Sequence, residues 1–437
     1  MTGRTTILVT HADALAPRAG RALVVEDGRI VADGPPASVL DRPAPRRTVS
    51  PGLPSMPALL DPERMAGVLA RSLGRDVEGV AIADARLKPG RELIVRYDVQ
   101  AGEQHTAVAV ARARGTFQRE VGEPLVRAVE GRAPAKPALT RDLQLGALIQ
   151  WLPLDIALPV LGLPRSDLRA QLENAGVTVA ADADGPELLA YKPLGRAVVR
   201  LDGHVLKLYS DDRHFRASAE ALHAIAGSQV PAPELEAAVP ALRAVVQSRL
   251  DGRMPDEPAG VARAAGELLR SLHALPSAAP RLTAESRLAQ AAKHAAVVTE
   301  LLPALAPRVE HLLARLEQSA PDEREGVLSH GDFEAGQLLV RDESLAVLDL
   351  DGLCVAAPAL DHANYAAHVV HGPDTLGEAH EVLARLADGY GATPAGLDWQ
   401  LAAALVCRSS APFRRFRDGW PERVEALVEA AEEAVPR

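Results

Sequence analysis

The stretch Leu328–Val340 reads LSHGDFEAGQLLV, and two of its polar side chains stand five residues apart, Asp332 and Gln337. A loop that passes a phosphoryl group to a hydroxyl needs a carboxylate to accept or orient the hydroxyl proton. Five residues later it needs an amide oxygen for magnesium. Asparagine is the usual donor, and glutamine offers the same hard oxygen on a side chain one methylene longer, which a loop shift of ~1 Å accommodates. His330 is placed to brace the loop backbone. Twelve residues beyond Gln337, the apolar run LAVLDLDG ends in Asp349, a candidate ligand for a phosphate-bridging magnesium ion. Asp351 lies two positions on, hence on the same face if the strand continues, and is a candidate second ligand. The plainer alternative makes Asp349 and Asp351 ordinary turn residues before Gly352.

The same chemistry requires a cation on the phosphates. In HVLKLYS, Lys207 sits between Leu206 and Leu208, so a strand points it away from both. Thirteen residues later Glu220, within a helical stretch, is a candidate partner for that lysine. AVVQSRLDGR (Ala244–Arg253) is an apolar strand entering a polar turn, suited to an inter-lobe hinge that would hold adenine by backbone groups near Gln247 to Arg249. The alternative for the lysine and glutamate is an edge-strand surface cation and a solvated carboxylate.

These residues need a scaffold. KPGRELIVRYD (Lys88–Asp98) aligns without gaps on KPLGRAVVRLD (Lys192–Asp202), and each is followed by a turn and a second strand. Both read as the opening β-hairpin of a nucleotide-binding lobe, but only the second copy carries a strand lysine. Ser166 is a candidate N-cap for the helix-like SDLRAQLENAGV. From about residue 258 the pattern is mostly helical, interrupted at 328–351 by the runs QLLV and LAVLDL, spaced for a small hairpin. Near the N-terminus, ALVV and IVA flank Asp27-Gly28, a tight-turn signal, and DRPAPRRTVSPGLPSMP reads as a linker.

Composition narrows the class. With 47% hydrophobic and 24% charged residues the chain is globular, and its two cysteines, Cys354 and Cys407, exclude a disulfide framework or Cys-rich zinc site. A formal charge of −10 disfavours nucleic acid as a partner. No uninterrupted apolar run of about 18 residues suggests a membrane span. No secretory leader is evident, so the expected location is cytoplasmic.

Taken in order, Lys207, Glu220, SLHALP (Ser271–Pro276), HGDFEAGQLLV, VLDLDG and PALDHANYAAH resemble the aminoglycoside phosphotransferase and choline kinase-like superfamily. The HGDxxxxQ variant is similar to bacterial maltokinases, which carry an N-terminal cap. The resemblance implies ATP and Mg2+ as cofactors, Asp332 as base, Gln337 and Asp349 as magnesium ligands, and Lys207 with Glu220 as the phosphate-clamping pair. It implies an α+β, protein-kinase-like bilobal fold, with a small β-rich N-lobe, a mostly helical C-lobe and an N-terminal α/β cap. Residues 5–35 resemble the C-terminal end of an ABC-transporter ATPase domain, in which His11 would face a γ-phosphate. No GxxxxGK[ST] loop occurs in the chain, so that segment reads as a remnant. The expected divisions are 1–50 (remnant and linker), 56–175 (cap, a degenerate N-lobe copy), 185–252 (N-lobe) and 253–437 (C-lobe). The expected function is transfer of the γ-phosphate of ATP to a hydroxyl of a small molecule, an aminoglycoside-like antibiotic or a sugar. The alternative is a pseudokinase or regulatory nucleotide-binding module associated with an ABC transporter.

Overall fold

The computed structural model describes residues 22–26, 29–34, 50, 52–113, 139–180, 185–276, 278–322, 326–341 and 344–436. Residues 1–49 and 50–437 form separate compact units. In the first, β1 (Ala22–Glu26) and β2 (Arg29–Gly34) pair antiparallel, the hairpin expected around Asp27-Gly28. His11 lies outside the described residues.

The second unit opens with α1 (Met56–Leu59) and α2 (Pro62–Leu73). The Asp61 side chain accepts from Arg64 N at 3.0 Å, Pro62 occupies the first turn and left-handed Gly74 ends the helix, so α2 has a defined start and stop. Five strands follow: β3 (Gly79–Lys88), β4 (Glu92–Ala101), β5 (Glu103–Arg112), β6 (Leu139–Asp142) and β7 (Ala147–Trp151), ordered β3-β4-β5-β7-β6. Leu93, Val95 and Tyr97 alternate onto the face that buries Met56, Leu59, Met65 and Leu69 of the two helices.

After α3 (Arg165–Asn174) comes a second sheet. Its strands are β8 (Glu187–Lys192), β9 (Arg196–Leu201), β10 (His204–Tyr209), β11 (Leu235–Val239) and β12 (Ala244–Ser248), with α4 (Asp212–Ile225) between β10 and β11. The order β8-β9-β10-β12-β11 repeats that of the first sheet: the fifth strand inserts beside the third and the fourth takes the edge. The aligned segments Lys88–Asp98 and Lys192–Asp202 are not opening hairpins, in contrast to the sequence expectation. In each sheet they make the turn from first to second strand, because a preceding strand, β3 or β8, pairs on the far side. Ser166 also differs from expectation: α3 starts at Arg165 behind Pro164, which places Ser166 inside the first turn.

One face of the second sheet, with Val199, Leu201, Leu206 and Leu208, packs on Leu168 and Leu172 of α3. A cavity of about 460 Å³ opens on this face, lined by Leu206, Leu208, Leu168 and Thr106 among others, away from Lys207. Lys207 projects from the opposite face.

The chain then crosses into a helical region. Arg253 and Val340 exchange both backbone hydrogen bonds, at 3.1 and 2.7 Å. Gly252 lets them meet: a Cβ there would sit 2.9 Å from the Val340 carbonyl oxygen. The helices are α5 (Pro258–His273), α6 (Ala284–Leu301), α7 (Ala306–Gln318), α8 (Ala359–Ala367), α9 (Leu376–Tyr390), α10 (Leu397–Arg408), α11 (Ala411–Arg414) and α12 (Trp420–Ala434). They enclose the short pairs β13 (Val327–Ser329) with β16 (Cys354–Ala356) and β14 (Leu338–Arg341) with β15 (Ser344–Val347), the latter being the hairpin predicted from QLLV and LAVL. Every residue of α8 is buried, which makes it the rigid post behind the loops at its N-terminus. The architecture is therefore α+β and two-lobed, a β-rich lobe over a helical one, with the first sheet as a cap. No described helix is long and apolar enough to cross a membrane.

Candidate active site

The HGD loop joins β13 to the β14–β15 hairpin and is held from below by α8. Asp361, fully buried, accepts from His330 N (2.7 Å) through one carboxylate oxygen and from Gly331 N (2.9 Å) through the other. His273 approaches the first oxygen at 3.3 Å. Burial alone would raise the Asp361 carboxyl, but His273, His330 and the backbone donors hold it below the usual range. Asn364, one helical turn on, donates to Gly331 O at 3.0 Å and receives Arg287 at 2.6 Å. His330 donates from Nε2 to Leu348 O (2.8 Å) and accepts from Asp332 N at Nδ1 (3.3 Å), which ties the loop backbone to the strand end. Gly331 adopts φ 84, and a Cβ there would lie 2.2 Å from Gly352 O, so only glycine lets this loop touch the one that follows β15.

Asp332 emerges from this frame with an open face. Crowding by the protein around its carboxyl, then the charge of Glu334, push its pKa up; Asp349 is close enough to add to the effect.

Opposite stand Asp349 and Asp351. The strand does not continue through them, as the alternation argument required. Asp349 takes a left-handed conformation (φ 56, ψ 55) and residues 350–352 make a single tight helical turn. That turn, and not strand alternation, brings the two carboxylates together. Lys207 Nζ donates to both, at 2.7 Å each. Arg196 grips Asp349 with two nitrogens, at 2.8 and 2.9 Å, and Asp351 at 2.6 Å. Tyr209 and Ser218 hydroxyls complete Asp351, at 2.8 and 2.9 Å. Burial would raise the Asp349 carboxyl, but Lys207 and Arg196 outweigh it and hold it well below the carboxylate range. Lys207 is only 5% exposed, so this charge cluster sits in a poorly solvated space between the lobes.

Gln337 is tied beside this pair through its backbone, its carbonyl accepting from Leu348 N at 2.8 Å. No described residue hydrogen-bonds its side-chain amide. An amide oxygen and one or two carboxylates form the hard-oxygen set that magnesium takes when phosphates complete its shell, so the residues fit that ion. Among the described residues, no group of three or more His, Cys, Asp and Glu is arranged to hold a metal by itself.

Glu220 is a correction. It lies exposed on α4, whose inward face carries Phe215, Ser218, Ala221 and Leu222. Two residues along a helix turn by about 200°, so with Ser218 facing the cleft Glu220 must face solvent. Lys207 takes its carboxylates from the other lobe instead. At the hinge, Gln247 is buried in β12, and the Arg249 side chain turns to Asp251 at 3.2 Å.

Arg196, Tyr209, Ser218, Glu334, His368 and Arg408 were missed. His368 and Glu334 form an ion pair beside Asp332, which lowers the Glu334 carboxyl against the effect of burial. Arg408, desolvated at the end of α10, has its pKa drawn down to about 10 and leaves a buried guanidinium nitrogen without a hydrogen bond. The available signal was positional: Arg196 and Tyr209 face each other across the β9–β10 ladder, on the face that carries Lys207.

No curated protein matches the chain in sequence. Among solved structures, a macrolide 2'-phosphotransferase from Brachybacterium faecium is 21% identical at a TM-score of 0.42, covering 60% of this chain and 97% of that one. A choline/ethanolamine kinase family protein from Mesorhizobium loti is 18% identical at 0.43, covering 62% and 98%. The streptomycin–ATP–APH(2")-IIa ternary complex is 13% identical at 0.45, covering 63% and 99%. The model of the phosphotransferase enzyme family matches residues 192–405, which span Lys207, the HGD loop and both aspartates. That segment belongs to the phosphotransferase enzyme family, and the chain is a small-molecule kinase.

Proposed function

We propose that the protein transfers the γ-phosphate of ATP, in the presence of Mg2+, to a hydroxyl group of a small molecule such as a sugar or an aminoglycoside-like antibiotic. The observation that carries this reading is the pairing of two features across one cleft. Asp332 is an uncommitted carboxylate on a loop immobilised by Asp361, and the Asp349–Asp351 pair facing it is neutralised by Lys207 and Arg196 from the β-rich lobe.

In the proposed reaction the acceptor oxygen forms a bond to the γ-phosphorus as the bond from that phosphorus to the β–γ bridging oxygen breaks, and ADP leaves. Asp332 orients the hydroxyl and receives its proton. Its raised pKa makes it a better base than an ordinary aspartate. Lys207 and Arg196 stabilise the phosphate oxygens, exchanging their present carboxylates for the nucleotide. Gln337 and Asp349, with Asp351, would hold Mg2+, whose chemistry is to neutralise the charge on the phosphate oxygens. Burial of this cluster strengthens each of these interactions relative to water.

We further propose that the cap is a second copy of the nucleotide lobe that has lost nucleotide binding. In the gapless alignment Ile94 corresponds to Val198. Val198 pairs with Lys207 in one sheet and Ile94 with Val110 in the other. A valine thus stands where the phosphate cation would be, buried against Leu148 and Leu154.

The test is Asp332→Asn in the full chain. Mg2+-dependent ATP turnover should fall by at least about 100-fold with the urea unfolding midpoint unchanged or raised, since the substitution removes an unfavourably placed charge. Turnover that persists in the folded variant would sink the assignment of the base.

A further inference from the structure

The cap is more than a packing partner, because one of its strands reaches the cleft. Near the middle of β3 the register slips between Ile82 and Asp84, a bulge that re-aims the side chains after it. Beyond it Ala85 and Leu87 turn into the core, while Asp84 and Arg86 share the opposite face with Arg96, which donates to Tyr191 O at 3.0 Å. That face meets the β8–β9 turn, Lys192 to Gly195. Asp155, completely buried, pins this turn by accepting from Tyr191 OH (2.7 Å) and Leu194 N (2.8 Å). β3 also packs against α11 of the helical lobe, whose Arg414 reaches the same Asp84 at 3.8 Å.

Four cations from three parts of the molecule converge here: Arg86 from the cap, Lys192 and Arg196 from the nucleotide lobe, and Arg414 from the helical lobe. Arg196 is committed to Asp349 and Asp351. Arg86 and Arg414 share the one carboxylate of Asp84 (Arg86 Nε at 2.7 Å), and a second guanidinium nitrogen of Arg86 is buried without a hydrogen bond. No described residue hydrogen-bonds or ion-pairs with the Lys192 amine. Crowding by nearby protein atoms, then Arg86, Arg196 and Arg414, lower the pKa of this exposed side chain, with Asp84 opposing, as in a site whose positive charge the protein leaves unanswered. In a chain of net charge −10 such a concentration is locally selective.

We propose that Arg86, Lys192 and Arg414 form a subsite for a phosphate-type oxyanion at the edge of the catalytic cleft, with the cap supplying one wall. Two sources have this chemistry: the terminal phosphates of the nucleotide and a phosphate group on the acceptor. The inference takes the position of the cleft from the function proposed above, and binding measurements separate the two, because they need no turnover.

The experiment is calorimetric titration of the full chain with tripolyphosphate, with Mg2+–AMP-PNP, and with inorganic phosphate after saturation with AMP-PNP. It is repeated on Arg86→Gln, on Lys192→Gln and on Arg86→Lys as the charge-conserving control. Lys192 is an exposed turn residue, so its variant tests the subsite even if Arg86→Gln perturbs the cap. A nucleotide subsite predicts that tripolyphosphate and AMP-PNP bind about 10-fold or more weakly to the Gln variants, with partial recovery in Arg86→Lys. An acceptor subsite predicts unchanged AMP-PNP affinity, together with phosphate binding to the nucleotide-loaded protein that the Gln variants lose. If neither probe distinguishes the Gln variants from the parent, or the parent binds neither, the proposal is overturned. Loss of turnover in Asp332→Asn alongside that result would leave the phosphotransfer reading intact.

Discussion

Asp361→Asn tests whether the catalytic loop is held by charge or by shape. The carboxylate spends one oxygen on each of two consecutive backbone donors, His330 N at 2.7 Å and Gly331 N at 2.9 Å, with no solvent access. Asparagine is nearly the same size, but one oxygen becomes an NH2 that points at an N–H donor. One charge-assisted hydrogen bond is lost, ~1.5–3 kcal/mol, and one buried donor is orphaned, ~1–3 kcal/mol. The expected loss is therefore about 2.5–6 kcal/mol if the loop keeps its native path, a large part of the ~5–15 kcal/mol typical of a folded domain. If the loop instead opens locally, the urea midpoint moves less and Mg2+-dependent ATP turnover collapses. Acid titration supplies a second readout. Asp361 has a folded pKa below its unfolded value of ~3.9, so its contribution is present above that value and is lost as pH falls through the lowered folded value. The variant should lack this acid-dependent loss. A variant with the parent's urea midpoint, acid profile and turnover would refute the argument that this carboxylate anchors the loop.

Glu334→Gln removes a charge that raises the Asp332 carboxyl, so the acidic limb of the pH–turnover profile should move to lower pH; a limb that stays or rises contradicts the coupling. Gly331→Ala forces a Cβ to within 2.2 Å of Gly352 O at a positive φ, and should abolish turnover and lower stability by at least ~1–3 kcal/mol in urea unfolding. Glu220→Ala, at an exposed position remote from Lys207, should change turnover less than about twofold and stability by under ~0.5 kcal/mol; a loss near that of Lys207→Met would reinstate the strand–helix pair.

The linear motifs were legible because local chain geometry fixes them. Asp332 and Gln337 sit on one loop, and the hairpin between Gln337 and Asp349 is short enough that its apolar alternation alone implies it. Lys207 was legible for the same reason, its neighbours Leu206 and Leu208 declaring which face is apolar. Glu220 failed at the next level. A glutamate at a plausible distance along the chain says nothing about helix rotation, and the residues that set it, Phe215 and Ser218, were visible as an i, i+3 pair. The strand argument for Asp351 failed for a related reason, although its carboxylate does stand beside that of Asp349. Strand periodicity was extended past the point where a left-handed Asp349 ends the strand, and few residues other than glycine announce that conformation.

Arg196 shows what pattern reading could not reach. Within the repeated segment it corresponds to Glu92, so similarity between the copies directed attention to the matching Lys, Pro, Val, Arg and Asp instead. Yet the divergence is where the two sheets differ chemically. In the cap, Glu92 closes a local ion pair with Lys88 at 2.6 Å and Arg112 at 3.0 Å, inside its own sheet. In the second sheet an arginine at that place finds no carboxylate among its sheet neighbours and reaches across the cleft to Asp349 and Asp351. A charge reversal at one equivalent position thus turns a self-satisfied sheet into one whose cation must be answered from the other lobe. When two copies of one topology coexist in a chain, function is better sought at the positions where they disagree in charge than where they agree.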